Sequence, residues 1–464
     1  MVKLALLAEP GLELVPHPAD YRVDGEVGRF RFGTFDLRKP NGKVVFLGTS
    51  LLPRLKGREW YETSGFKELA LVTGAVQRSY RKTADDVNRR RRQQEGGTPL
   101  NTLRDTAESE GTAVLKCLET ETTRLLKEHS FGEDGVPLPN AAVHQEMASS
   151  PPKLDGQKVK DARLEMEEEM RNHGMPESQI QESAQQKGAV YEDPRATVNV
   201  HVDDVGVKEQ KEQRERRDKS QAPPAGASDC PKDPASEEAG RKRPMVYTTV
   251  ARIEHAGQGF TLVGGSVLAV LRSVLAFLLN NDLAKQRWLF FTDGQRSLQN
   301  AIVTSFRWHP WMSLILDWFH LNKKCQEDLS LALKGRGVRN QHLKQIARLL
   351  WYGLVSQAIE YVRAIPEGDV KSRANLDRLI GYFERNRFSI PCYALRRRLG
   401  LPNSSNPVER MNNLVTADRQ KNNGMSWSQD GSLALAALTV VVLNGHTQKW
   451  LKEKIIPFLF AQAA

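Results

Sequence analysis

The spacing of apolar residues changes several times along the chain, and each change marks a predicted segment. In residues 1–60, apolar and polar positions alternate in short runs separated by glycine and proline, a pattern typical of half-buried strands. From residue 64 the apolar positions recur three and four residues apart, as in Phe66, Leu69 and Ala70, which indicates helices. The sequence therefore predicts a small β-rich N-terminal lobe followed by a helical region.

Three helices are predicted in residues 61–125, the last of them after a break at 96–99 that contains two glycines and a proline. The middle helix ends in four consecutive cations: Arg89, Arg90, Arg91 and Arg92. Helices that are joined by a tight turn and carry such cations are typical of a helix-turn-helix DNA-binding region. A plain helical bundle with a solvated charged face is the alternative interpretation. Residues 126–195 predict a helical, partly disordered connector without candidate chemistry.

Residues 196–320 predict an α/β core. Val198, Val200 and Val202 alternate with polar residues, so the first strand has one apolar and one polar face. A polar insert follows at 208–243, and its low hydrophobicity predicts a long loop or disorder. Beyond the insert, apolar runs predict two strands, a helix, a strand, a helix and a strand at 246–253, 260–264, 266–279, 288–292, 295–306 and 312–316.

The remainder of the chain is predicted to be helical in two parts. Residues 321–402 carry apolar stripes at helical spacing and predict a separate helical domain. Residues 403–464 open with an Asn-Pro helix start that leads into Glu409, and a strongly apolar helix at 431–444 follows. Because this last part returns to strongly apolar sequence, it is expected to complete the α/β core.

Charge narrows the range of partners. The chain of 464 residues carries 67 Lys and Arg against 56 Asp and Glu, a formal net charge of +11, and its pI is near 9.4. Such an excess of positive charge favours binding to polyanions such as nucleic acid, although an ordinary basic protein can have the same net charge. The length allows two or three domains.

Cysteine usage and hydropathy predict the compartment. The four cysteines are scattered without a Cys-x-x-Cys pair, so neither a zinc knuckle nor a disulfide framework is expected. The first apolar run is too short for a signal peptide, and no stretch approaches the roughly 18 apolar residues of a membrane span. The sequence therefore predicts a soluble protein of a reducing cytosol, with no membrane partner.

Three acidic residues carry the candidate chemistry. Asp203 lies on the polar side of the first core strand, Asp293 follows the strand at 288–292, and Glu409 lies on a helix far downstream. Carboxylates gathered in one cleft repel each other unless cations are present, and hard ions such as Mg²⁺ prefer oxygen ligands. A pair of such ions can bind both the attacking and the leaving oxygen of a phosphodiester. The acids therefore predict a divalent-metal site that acts on nucleic acid.

Four segments, in this order, resemble motifs of the DDE transposases of bacterial insertion sequences and of the related Mutator-like transposases. They are VDDVGV at 202–207, FTDG at 291–294, LDWFH at 316–320 and PVERMNN at 407–413, the last with NGMSWS after it at 423–428. The resemblance covers about residues 196–445, and a weaker resemblance extends to the helices at 64–110. It implies a ribonuclease H-like mixed sheet with an inserted helical domain at 321–402, preceded by the β-rich lobe and the helix-turn-helix region.

The same resemblance implies an activity and its partners. Asp203, Asp293 and Glu409 would be the catalytic residues and would bind two Mg²⁺ ions, for which Mn²⁺ can substitute. Hydrolysis would free the 3′ ends of the mobile element, and strand transfer would join them to target DNA. The expected partners are double-stranded DNA, from both element ends and target, and a second copy of the chain in a homodimer. The expected location is the bacterial cytoplasm, at the nucleoid.

Two of these acids have neighbours that compete for the same role. Asp204 adjoins Asp203, and a one-residue error in strand phase exchanges them. Asp317 also ends a predicted strand and is the alternative to Asp293. Together with His320, Asp317 otherwise forms an accessory site, and His320 is equally open to being a hydrogen-bonded structural histidine.

DNA contacts are predicted for Arg89, Arg90, Arg91, Arg92, Arg104, Lys208, Lys211 and Trp427. For the two lysines a solvated run of charge is the alternative, and for Trp427 a buried aromatic position is the alternative to stacking on a base. Two rival functions stay open at this point. One is a ribonuclease H-like nuclease that never joins DNA, and the other is an inactive transposase remnant that only binds DNA.

Overall fold

The structure is a computed structural model that describes residues 11–16, 21–33, 35–45, 61–77, 79–93, 96–184, 191, 193–210, 244–421 and 425–460. The protein is mixed α/β, as predicted, with more helix than strand. Its chain divides into two compact units. The first comprises residues 1–117, 205–248 and 414–456, and the second comprises residues 118–204, 249–413 and 457–464. The finer division into six segments stays a prediction.

Short strands near the N-terminus of the first unit form two three-stranded sheets, in agreement with the alternating pattern. They are β1 (Glu13–Pro16), β2 (Tyr21–Gly25), β3 (Gly28–Phe32), β4 (Phe35–Arg38), β5 (Val44–Val45) and β6 (Tyr61–Glu62). One sheet has the order β1-β4-β5 and the other β3-β2-β6. Within the second sheet, β2 pairs antiparallel with β3 and parallel with β6.

Three helices follow: α1 (Ser64–Val76) and α2 (Tyr80–Arg90) in the first unit, and α3 (Leu100–Glu128), whose residues from 118 onward are counted in the second. Thr63 and Ser79 accept backbone hydrogen bonds from the first turns of α1 and α2 and cap them. All three helices were expected, and α3, with 29 residues, extends past residue 125, where the predicted region ends. Assignment of these helices to a helix-turn-helix unit stays a prediction.

A five-stranded sheet carries the predicted core. Its strands are β7 (Thr197–Lys208), β8 (Met245–His255), β9 (Gln258–Gly264), β10 (Arg287–Thr292) and β11 (Met312–Leu316). Their order is β11-β10-β7-β8-β9. β7, β10 and β11 are parallel to one another, whereas β8 and β9 are antiparallel. The predicted strand positions are confirmed, and most of the predicted insert, from residue 211 onward, lies outside the described residues.

Helices connect and cover these strands. α7 (Val267–Asn280) follows β9, and α8 (Arg296–Phe306) joins β10 to β11. Before the sheet come α4 (Val143–Glu146), α5 (Gly156–Asn172) and α6 (Glu177–Ala184). After it come α9 (Trp318–Ala332), α10 (Arg336–Trp351), α11 (Val355–Arg363), α12 (Arg373–Asn386) and α13 (Tyr393–Arg398).

The helices after β11 share one apolar core with α5 and α6. Met166, Met170 and Ile180 of the predicted connector are buried in that core, with residues such as Leu349 and Phe383. The two methionines lie four residues apart on an otherwise charged helix, so they form one narrow apolar face. Part of the connector is therefore an integral layer of the helical domain.

The chain ends in helical segments, as predicted. They are α14 (Asn406–Asn412), a π-helix (Asn413–Lys421), α15 (Gln429–Leu443) and α16 (Thr447–Glu453). α14 belongs to the second unit and carries Glu409, whereas α15 and α16 belong to the first. Among the described helices, none combines the length and the hydropathy needed to cross a membrane.

Candidate active site

Three acidic residues stand side by side at one edge of the five-stranded sheet. His201 of β7 pairs with Phe291 of β10, so two residues further along each strand Asp203 comes level with Asp293. Thr292 of β10 pairs with Leu316 of β11, and Asp317 is the next residue. Because β10 and β11 run parallel to β7, the acids that follow these two strands lie level with Asp203, which is within β7. This set of three acids is called the acid row below.

Asp203 is partly buried and lies opposite Asp293. Burial, and next the facing charge of Asp293, raise the pKa of its carboxyl to about 6. Its Oδ1 accepts a hydrogen bond from the backbone of Asp204 (2.9 Å), and its Oδ2 accepts one from Nδ2 of Asn412 (2.6 Å). His201 precedes it on the strand, and burial lowers the pKa of that imidazole to about 3. The histidine is therefore neutral and adds no balancing charge to Asp203.

Asp204 faces a different partner from Asp203, because the alternation of buried and exposed positions along β7 shifts by one residue at this point. The buried valines have even numbers up to Val202 and odd numbers from Val205. A shift of one position in the alternation brings two consecutive acids to the point of change. Thr249 of β8 donates its hydroxyl to Asp204 Oδ1 at 2.5 Å. Asp204 is therefore bonded to the neighbouring strand, while Asp203 faces Asp293.

Asp293 lies in a tight turn between β10 and α8. Its Oδ1 accepts a hydrogen bond from the backbone N–H of Gln295 (2.8 Å), and its backbone carbonyl accepts one from the Tyr382 hydroxyl (3.4 Å). Gly294 has a φ of +87°, and a Cβ there would lie 2.4 Å from the Tyr382 oxygen. The turn therefore requires glycine both for its backbone conformation and for the close approach of α12.

Asp317 is buried and fully occupied by hydrogen bonds. Its Oδ1 accepts from the backbone N–H of His320 (2.7 Å) and so caps α9. Its Oδ2 accepts from both the backbone N–H and the hydroxyl of Ser405, the hydroxyl at 3.0 Å. Ser405 immediately precedes α14, so a single carboxylate fixes the starts of two helices. These contacts favour a positioning role for Asp317 over a role as a metal ligand.

His320 and Glu409 meet across the candidate site. His320 Nε2 lies 2.8 Å from Glu409 Oε1, and both side chains are partly exposed. Asn412, which contacts Asp203, lies three residues beyond Glu409 and therefore on the same face of α14. Helix α14 thus reaches the acid row through two side chains one turn apart. Asn412 and Ser405 were not singled out in the sequence, although both lie within or next to the PVERMNN segment.

The donor chemistry of this site fits a divalent cation at Asp203 and Asp293. The two carboxylates face each other, and His320 lowers the pKa of Asp203 by less than Asp293 raises it, so a bound cation would relieve the remaining repulsion. Glu409 is engaged by His320 and would have to leave that hydrogen bond to become a third ligand. Accordingly, the described ranges contain no three His, Cys, Asp or Glu side chains already grouped for a metal ion.

The predicted DNA-binding arginines of α2 differ in accessibility. Arg89 and Arg90 are exposed and pair with Asp86, and Arg92 is exposed just beyond the helix. Arg91 is buried, and its guanidinium donates to Asp24 (2.9 Å) and to the Thr98 hydroxyl (2.6 Å). Arg91 is therefore not accessible to DNA in this structure, and its role is to fix α2 to the β-rich lobe.

Three of the other predicted DNA contacts lie around one cleft of the first unit. Arg104, Lys208 and Trp427 line this cleft, whose volume is about 710 Å³. Arg104 and Lys208 are accessible, but Trp427 is buried and donates its indole N–H to the Gln420 carbonyl at 3.2 Å. This burial favours the interpretation of Trp427 as a core aromatic. Lys211 lies outside the described residues.

Comparison with known proteins adds no assignment to this geometry. No protein-family model matches the chain, and no curated protein matches it.

Proposed function

We propose that this protein is a DDE-type transposase that binds the ends of a bacterial insertion sequence and cleaves and joins DNA with divalent metal ions. One observation carries the proposal: Asp203, within β7, faces Asp293, at the end of the parallel strand β10, and α14 brings Glu409 to the same place through His320 and Asn412. Three acids from separate segments would thus serve one site. In a bacterial cell, such an enzyme would work at the nucleoid, in the cytoplasm.

The sheet order supports a ribonuclease H-like core. Three strands in sequence, β7, β8 and β9, occupy one side, and β10 and β11 continue the sheet beyond β7 in parallel with it. A helical segment of α9 to α13 separates β11 from the helix with the last acid. This is the arrangement that the four sequence motifs imply.

Asp203, Asp293 and Glu409 would hold two Mg²⁺ ions, or Mn²⁺ in their place. When bound, such ions lower the pKa of an attacking water or hydroxyl and stabilise the leaving oxygen. The protein's own groups prepare the site. Asn412 orients the Asp203 carboxylate, His320 holds Glu409, and Asp203 is ionised once the pH exceeds about 6.

Cationic side chains of the first unit would bind the DNA before it is cleaved. The accessible ones at α2 and in the 710 Å³ cleft are Arg89, Arg90, Arg92, Arg104 and Lys208. Contacts to phosphates by such residues give affinity without sequence specificity. Two DNA ends would be held by two copies of the chain, so a homodimer is the expected active form.

The test is Mg²⁺-dependent cleavage and strand transfer on a duplex that carries an end of the encoding element. Asp203→Asn, Asp293→Asn and Glu409→Gln should each lower both activities by about 10³-fold or more, because each removes a ligand worth several kcal/mol in the transition state. DNA binding should persist in all three. Asp204→Asn is the matched control and should retain activity, since its partner is Thr249.

Other outcomes would replace the proposal. Cleavage without joining would identify a nuclease. DNA binding without cleavage by the wild-type protein would identify a remnant that has lost catalysis. Loss of activity in Asp204→Asn but not in Asp203→Asn would exchange the two neighbouring acids.

A further inference from the structure

Phe388 is the most exposed large apolar side chain in the described part of the chain. It is 98% exposed, and the next such residue, Val27, is 77% exposed. It lies in a 3₁₀ turn, Arg387–Ser389, directly after α12. The arginines on either side of it, Arg385 and Arg387, are also exposed. An apolar ring is thus presented to solvent between two cations.

The turn that presents Phe388 is anchored on both sides. Asn386 is buried and donates its Nδ2 to the Tyr382 carbonyl (2.9 Å). Ile390, on the other side, is buried in the helical core. Arg387 donates to the Ser356 hydroxyl at 2.8 Å. Because both flanks are held, Phe388 cannot be withdrawn without breaking these contacts, and the ring is preorganised for a partner.

The same helix is bonded to the acid row. The Tyr382 hydroxyl donates to the Asp293 carbonyl (3.4 Å). Gln299 bridges Asn386 (2.9 Å) and Thr292 (3.1 Å), the residue before Asp293. Phe388 lies six positions beyond Tyr382, a rise of about 9 Å at helical spacing. Because nucleotides along a strand are about 3.4 Å apart, Phe388 would meet DNA within a few nucleotides of the candidate site.

We infer that Phe388 stacks on an unpaired base of the DNA end, while Arg385 and Arg387 contact the adjacent phosphates; the inference rests on the proposed function. Every base offers a π-face, so an exposed aromatic ring is recognised without sequence preference. The two cations match a polyanion better than an apolar protein surface. Because Trp427 is buried, Phe388 takes the stacking role that the sequence suggested for the tryptophan.

The experiment compares DNA binding by the full-length wild type, Phe388→Ala and Phe388→Trp without divalent cations. One probe is a duplex with a short unpaired end that contains 2-aminopurine, and the other is the same duplex fully paired. Phe388→Ala should bind the unpaired probe about 10-fold more weakly, with little change for the paired probe. The wild type and Phe388→Trp should quench 2-aminopurine emission, and Phe388→Ala should not. Leu331→Ala, another exposed apolar position at 53%, is the matched control and should behave as the wild type.

Each contrary result has a distinct meaning. Equal binding and equal quenching by wild type and Phe388→Ala would overturn the stacking inference, and the proposed function would stand if the wild type still cleaved DNA. A change in self-association alone, measured by size-exclusion chromatography, would assign Phe388 to a protein interface and overturn the inference. A wild type that neither binds nor cleaves DNA would overturn the inference and the proposed function together.

Discussion

Asp24 and Asp203 are both withdrawn from solvent, yet their surroundings are opposite. Asp24 accepts hydrogen bonds from the guanidinium groups of Arg29 (3.0 Å) and Arg91 (2.9 Å) and from the Thr98 hydroxyl (2.7 Å). Asp203 instead faces Asp293, another carboxylate. A buried charge with cationic partners stabilises a particular arrangement, whereas two facing like charges destabilise it unless a ligand intervenes.

Asp317 is the intermediate case. It is as buried as Asp24, but its donors are uncharged: two backbone N–H groups and one hydroxyl. All three acids accept hydrogen bonds, but they differ in their charged neighbours: Asp24 has two guanidinium groups, the donors of Asp317 are uncharged, and Asp203 faces a second carboxylate. This difference separates candidate chemistry from structural charge more clearly than burial alone.

The largest change in the free energy of unfolding is expected when the ion pair between Asp24 and Arg91 is broken. Arg91→Met should lower the free energy of unfolding by about 3–5 kcal/mol, because it leaves Asp24 buried without one of its cations. Arg92→Met, at the exposed neighbouring position, should change it by less than about 0.5 kcal/mol. Urea unfolding of both variants measures the contrast. Equal stability of the two would show that the buried pair contributes little.

Substitution of Asp203 is expected to raise the stability of the cation-free protein, whereas substitution of Arg91 lowers it. In the folded chain its pKa is about 6 against a usual value of 3.8, so the unfolded chain loses this proton first as the pH rises. The stability from this group is therefore lost between about pH 4 and pH 6. Asp203→Asn should remove that loss and raise the cation-free stability at pH 8 by on the order of 2 kcal/mol.

The same variant should also lose stabilisation by Mg²⁺, because one of the facing carboxylates is gone. Thermal melts from pH 4 to pH 8, with and without Mg²⁺, measure both effects, and Asp204→Asn is the control. A lower melting temperature for Asp203→Asn without cations would contradict the assigned repulsion.

The smallest change in the free energy of unfolding is expected when Asp317 loses one of its hydrogen-bond donors. Ser405→Ala removes the hydroxyl donor to Asp317 and leaves the backbone donor, so the free energy of unfolding should fall by about 1.5 kcal/mol. The cleavage rate at saturating Mg²⁺ should fall by about tenfold, because Glu409 is placed less firmly. Because Glu409 is a proposed ligand, the Mg²⁺ concentration that gives half of the maximal rate should rise as well. Single-turnover cleavage over a range of Mg²⁺ concentrations measures both quantities, and no change in either would contradict a positioning role for Asp317.

Periodicity was enough to predict the sheet and most helices. Alternating valines mark β7, and apolar runs ended by an acid mark β10 and β11, because a strand buried on one or both faces must be apolar there. The candidate site followed in part, since residues after parallel strands meet at one edge. Asp317 was kept as the alternative to Asp293 for this reason.

Long-range partners account for what the sequence did not reveal. Ser405 donates a hydrogen bond to Asp317, 88 positions away in the sequence, and Arg91 donates one to Asp24, 67 positions away. Neither contact has a local pattern, so four successive arginines looked alike and two strand-end acids looked alike. The burial of Met166 and Met170 was hidden in the same way, because a narrow apolar face on a charged helix is typical of exposed helices too.

The paired starts of α9 and α14 have a consequence for changes in the length of the chain. Trp318 donates its backbone N–H to the Asn403 carbonyl at 3.1 Å, and Asp317 binds Ser405, so the helical segment between them departs and returns at a single point. Closing a loop costs an entropy that grows only with the logarithm of its length. A segment with such adjoining ends can be lengthened at an exposed turn while the strands beneath it keep their pairing. Because the segment also packs against α5 and α6, a change in its length is tolerated only where that shared core is kept.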